Sequence, residues 1–175
     1  MKKLFLIILM SALTAMTSSI SAQSIYGEWI ATESDMEEGI TATMCMDFKE
    51  NSSGAVSLHM KAQNSSDGIT IKFELMVGFP YQWSINDNIL LLDLDKDNMY
   101  YDLISFEIST GDPSMDAFFA EYKDDLIDSV LTEAIPSLQS DMSDMGGEKK
   151  IISLTQDELV LESNGEQIIL YANIL

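Results

Sequence analysis

Apolar side chains recur at every second position through the first half of this chain, and that period confines it to strands with one buried face. In Ile40 to Lys49 the residues Ile40, Ala42, Met44, Met46 and Phe48 share one face. Ala55 to Ala62 sets Val56, Leu58 and Met60 against Ser57, His59 and Lys61. Ile69 to Val77 repeats the pattern, with Ile69, Ile71, Phe73, Leu75 and Val77 turned in and Thr70, Lys72 and Glu74 turned out. Turn residues, Asn51 to Gly54 and Asn64 to Gly68, separate these runs. Short Gly-containing connections make antiparallel neighbours, so the segments read as a meander. Ile25 to Thr32 reads as an opening strand before them.

Two further strands, Phe79 to Ile85 and Ile89 to Asp95, are expected next, turned at Asn86-Asp87-Asn88. Pro80 has no donor for a ladder, which places it at a strand start or an edge. Tyr100 to Ile108 is another apolar stretch. The period then changes. Asp112-Pro113 is a helix start, an acidic cap followed by proline at the first helical position. Met115, Phe118, Phe119, Tyr122, Leu126, Val130 and Leu131 recur at three and four, one apolar stripe. Pro136 should end or kink that helix, with a second short piece running to Met145 before Gly146-Gly147 stops it. Strands resume at Lys149 to Leu154, Glu158 to Ser163 and Glu166 to Asn173, the last two joined by Asn164-Gly165. The expected fold is therefore mainly β: an antiparallel up-and-down β-barrel of about eight to nine strands, with a helical insertion (about 113–145) before the last strands. An open sandwich is the rival architecture.

The first residues, MKKLFLIILMSALTAMTSSISAQS, carry the three parts of a secretory signal. Lys2 and Lys3 start it, Leu4 to Met16 form the apolar stretch, and small residues lead to Ser21-Ala22. That stretch is short of the roughly 20 residues a spanning helix needs. Residues 1–22 are expected to be removed after Ala22 or Ser21, leaving 23–175 as one exported domain, periplasmic or secreted, with no stable membrane insertion. A retained anchor is the rival reading.

The formal charge of the whole chain is −20. Loss of the two lysines in residues 1–22 leaves 7 Lys against 29 acids, or −22, and there is no arginine. Nucleic acid is excluded as a partner, because its phosphates must be met by Lys and Arg. An anionic membrane is repelled for the same reason.

The chemistry-bearing residues are sparse. Cys45, the single cysteine, falls on the face opposite Met44 and Met46, among Thr41, Thr43 and Asp47; acids beside it do not activate a thiol. His59, the single histidine, sits on a polar face without a nucleophile motif, and one His plus one Cys is too little for zinc. Asp93 to Asn98 places acids at alternate positions, but where a calcium loop needs Gly and Glu it has Asn98 and Ile104. It reads as an acidic loop ending a strand. No carboxylate pair stands out for glycoside hydrolysis. No catalytic residue, metal site or cofactor is expected.

Two features resemble the lipocalin-like families of exported bacterial proteins. One is Gly27-Glu28-Trp29 on the opening strand; the other is the tail Ile151 to Leu161, similar to the closing hairpins of those families. The resemblance implies a barrel whose base is closed by Trp29. Many such barrels set a late-strand arginine against that tryptophan, and here there is none. The function it implies is the binding of a small apolar or amphipathic ligand in the barrel, with Trp29 at the base and Met44, Met46, Met60, Phe73 and Leu75 as lining. The alternative is a protein-interaction module with a solid core, which docks a partner on the helix or a strand edge. A hydrolase using acidic side chains ranks below both.

Overall fold

The computed structural model describes residues 25–35 and 39–173. The expected signal, residues 1–22, lies outside them. The elements in chain order are β1 (Gly27–Asp35), β2 (Ile40–Phe48), β3 (Ser53–Ser66), β4 (Ile69–Asn86), β5 (Ile89–Leu94), β6 (Tyr100–Ser109), α1 (Pro113–Glu121), α2 (Lys123–Ser143), β7 (Gly147–Leu154), β8 (Glu158–Ser163) and β9 (Glu166–Ala172). β1 to β5 and β7 to β9 form a closed antiparallel barrel of eight strands, completed where β9 pairs with β1. The ninth strand, β6, lies outside the ring and pairs with β4.

Alternation sets the inside of the barrel. Met46, Phe48, Val56, Leu58, Met60 and Leu75 are all buried, and their sequence neighbours are more exposed. Turn chemistry sets the register. Asp67-Gly68 and Asn164-Gly165 have positive φ at both residues (52° and 80°, 54° and 83°), the twist that suits a two-residue hairpin. β3 thus runs on to Ser66, through residues that read as turn, because the true turn is only Asp67-Gly68.

A second departure is β4, one strand of 18 residues where two were expected. Its far edge changes partner midway: Thr70 to Gly78 pair with β6, and Tyr81 to Asn86 pair with β5. Pro80 falls in the gap between those partners. A strand residue points its N–H and C=O to the same side, and the Pro80 carbonyl accepts from Asp95 N at 2.9 Å on that edge. The donor that proline lacks would have met only the loop between β5 and β6. The strand therefore continues through it.

The helices also differ from expectation. The chain breaks at Tyr122, between α1 and α2, and α2 runs through Pro136 to Ser143. Charge explains the break. In one continuous helix Asp124 and Asp125 would sit mid-helix, whereas a new start at Lys123 places them in a first turn, where the helix dipole favours acids. Asp112 caps α1 as expected, accepting from Ser114 N at 2.8 Å.

The end of the barrel where β1 begins and β9 finishes is its base. Phe48 packs against Tyr81 (ring centroids 5.6 Å apart) and Trp83 (5.5 Å). The Tyr81 hydroxyl donates to Asp47 O at 2.9 Å and Trp83 Nε1 to Ser53 O at 3.1 Å. At the opposite end, the mouth, α2 delivers the chain into β7. Leu131, Ile135, Leu138, Met142 and Met145, spaced at three and four, pack on the core that the strands share.

Candidate functional site

The six residues proposed to line a ligand site lie in two layers. Trp29, Met46 and Leu75 are buried in the common core, at 3%, 0% and 2% exposure. Met46 has no surface that a water molecule can reach, so no water-sized void adjoins it. Val77, Phe79, Leu90, Leu159, Leu161 and Leu170 are equally closed off. This layer is solid. Met60 is buried at 9% exposure, while Met44 and Phe73 are half-buried and pack on the core from the mouth side. The sequence thus placed all six on one connected interior, but it could not tell the packed layer from the looser one above it.

Trp29 holds the seam of the barrel. Its Nε1 donates to Ile25 O at 2.7 Å, folding the segment before β1 back over the base. Among the described residues the seam between β1 and β9 has two residue pairs, Trp29 with Ala172 and Ile30 with Tyr171. Asn173 extends it by donating from its backbone N to Glu28 O at 2.9 Å and from Nδ2 to Glu28 Oε2 at 3.0 Å.

A lysine takes an inward place that alternation of Lys149 with Ile151 would have revealed. Lys149 is 3% exposed. Its Nζ donates to Asp144 O (3.2 Å), Gly146 O (2.8 Å) and Ser163 Oγ (3.1 Å), so all three donors are used. Two of these acceptors are carbonyls just past the end of α2, and that of the C-cap, Asp144, belongs to the negative end of the helix dipole. Burial pushes the Lys149 pKa below the ordinary lysine range, opposed by the nearby Asp144 charge. The residue ties the mouth helix to the barrel wall.

The outer face carries a polar cluster. His59 Nε2 lies 2.7 Å from Glu74 Oε1, and Lys61 Nζ is 3.1 Å from the same oxygen. Lys61 and His59 together hold the half-buried Glu74 carboxyl below its usual range. Beside them Thr41, Gln63, Lys72 and Glu107 line an open depression of about 280 Å³. Its charges are mixed, and Lys61 pairs with Glu74 within it. Among the described residues no group of three His, Cys, Asp or Glu side chains could hold a metal. Asp93 is exposed on β5, and Asn98 Nδ2 donates to Asp95 Oδ2 at 2.8 Å, closing the acidic loop on itself.

Cys45 is half-buried on the outer face of β2. Burial, then Glu28 and Asp47, raise its pKa above the ordinary thiol value. Because only the thiolate attacks, alkylation by iodoacetamide at mildly alkaline pH is expected to run several-fold slower than for glutathione. A rate matching free thiol would show that the local acids do not govern it.

The apolar stripe on the helices divides in two. Past Leu131 it faces the core. Before that point Met115, Phe118, Tyr122 and Val130 are 44%, 50%, 44% and 39% exposed. Phe118 touches both Tyr122 (centroids 4.8 Å apart) and the half-buried Phe119 (5.8 Å), so the exposed pair Phe118 and Tyr122 is backed by a third ring. Pattern alone made this one stripe to be covered; the break at Tyr122 leaves its first half uncovered by the barrel.

No protein-family model matches the chain, and no curated protein matches it.

Proposed function

We propose that this is an exported, lipocalin-like barrel without catalytic activity, whose work is to dock a protein partner on α1 and the first half of α2. The observation that carries this reading is the contrast between a barrel interior closed to water at Met46, Leu75 and Leu161 and a ring cluster left half-exposed at Phe118 and Tyr122. A small ligand in the barrel needs room among those inward residues, and pockets for drug-sized ligands run from about 300 Å³. Large apolar side chains grouped on a surface mark an interaction site more often than scattered ones.

A small-ligand reading keeps one observation in its favour. Met44, Phe73 and Leu103 are only half-buried on the core, so an apolar molecule could reach them with less repacking than the sealed layer would need.

Native mass spectrometry of protein purified from its own cells separates the two. The docking reading expects an added chain that is lost in the double variant Phe118→Ser, Tyr122→Ser. Those sites are exposed, so the unfolding free energy should change by no more than about 0.5 kcal/mol each. A retained small mass, lost on Phe73→Ala but kept in the double variant, would decide for the ligand.

A further inference from the structure

We propose that the occupant of the ring cluster on α1 and α2 is a cationic amphipathic segment of a partner protein, an apolar face rimmed with Lys or Arg. This rests on the docking reading above and adds the chemistry of the partner.

The argument is one of charge around an apolar centre. From Asp112 to Glu133 the helical insertion carries seven acids and one base, Lys123. Asp112 and Asp116 are engaged locally, the first as a helix cap and the second accepting from Thr110 N and Oγ1. Glu121, Asp124, Asp125, Asp128 and Glu133 are exposed, and among the described residues none of them forms an ion pair. They are interspersed along α1 and α2 with Met115, Phe118, Tyr122 and Val130, and Glu121 and Asp125 stand within one turn of Phe118 and Tyr122. Burying the Phe118 and Tyr122 rings, which touch each other, supplies the apolar gain, and a basic rim neutralises acids that the fold leaves unpaired.

The other occupants fit poorly. A second copy brings the same acids to the same rim, and each chain carries −20 overall. An anionic membrane meets the same repulsion. The neighbouring free edge, β6, is not built for strand addition. It carries exposed Asp102 and Glu107, and its register with β4 slips between Glu74 and Leu75, where Ile104 is the extra residue. Acids and a bulge on an edge discourage pairing with another chain.

The test uses the full exported chain and three synthetic helical peptides of about 18 residues, the span of five turns. All share one leucine face; their polar faces are lysine, glutamine or glutamate. Titration is followed by calorimetry at low and high salt. The lysine peptide is expected to bind, to weaken as salt is raised, and to lose about tenfold or more in affinity to Phe118→Ser, Tyr122→Ser. The glutamate peptide is expected not to bind.

If the glutamine peptide binds as tightly as the lysine one and the double variant weakens both, the docking reading stands and the cationic partner is overturned. Lysine-peptide binding that is indifferent to the double variant overturns both, leaving only general attraction to an acidic surface. Concentration-dependent dimerisation abolished by the double variant overturns the proposal in favour of a second copy. Binding to zwitterionic vesicles through the same rings overturns it in favour of a lipid surface.

Discussion

Truncating Trp29 to alanine is expected to lower the unfolding free energy by about 3–5 kcal/mol, the range for removing a large buried aromatic. Three things are lost together: a ring that is 3% exposed, the bond from Nε1 to Ile25 O, and packing at the pair with Ala172 that closes the barrel. Among the described residues the seam has one other pair, Ile30 with Tyr171, so there is little ladder to compensate. Trp29→Phe separates the contributions. It keeps most of the apolar volume and drops the hydrogen bond, and should cost less than half as much. Tyr171→Ala is the control at the same seam: its side chain is 54% exposed, and a loss of no more than about 0.5 kcal/mol is expected. Urea denaturation measures all three. Equal losses for Trp29→Ala and Tyr171→Ala would mean that the seam does not depend on this tryptophan.

The strands were legible because burial on one face leaves a period that cannot be mistaken over five or more residues. Met44, Met46, Met60, Phe73 and Leu75 point to the shared interior because each obeys that period. What sequence did not carry was the depth of each along the barrel axis, which depends on how strands stagger across the sheet. Hence Met46 proves sealed and Met44 half-buried, though they are two residues apart. Pro80 misled for a related reason. Its missing donor is costly only if a partner stands opposite, and whether β5 or β6 stands there is set by chain pairing far away. The helix break at Tyr122 turns on electrostatics, where Asp124 and Asp125 find a better place at a new first turn than inside a long helix. A stripe read from hydrophobicity alone does not register that preference.

Lys149 illustrates a signal present in the sequence and overlooked because the residue type argued against burial. Its replacement by alanine is expected to destabilise the fold by about 2–3 kcal/mol, since each buried acceptor left without a donor costs about 1–3 kcal/mol and partial hydration recovers some of it. The acceptors are Asp144 O, Gly146 O and Ser163 Oγ. Lys149→Met keeps the stem's volume and removes only the ammonium, so its loss isolates the hydrogen bonds from the packing. Protection of α2 amides against hydrogen exchange should fall first near Met142, because the carbonyls released lie just past that turn. The pH dependence follows from the lowered pKa. Three hydrogen bonds favour the ammonium, but desolvation outweighs them. The folded state therefore binds fewer protons than the unfolded chain as pH approaches the ordinary lysine value from below. In that window stability rises with pH, and the full contribution is present only above the ordinary value. The wild-type advantage over Lys149→Met should accordingly widen between neutral pH and the alkaline range. An advantage that narrows over that window would mean that the carbonyls beyond α2 hold the proton more firmly than burial expels it, and Lys149 would then be a charge the fold prefers to keep.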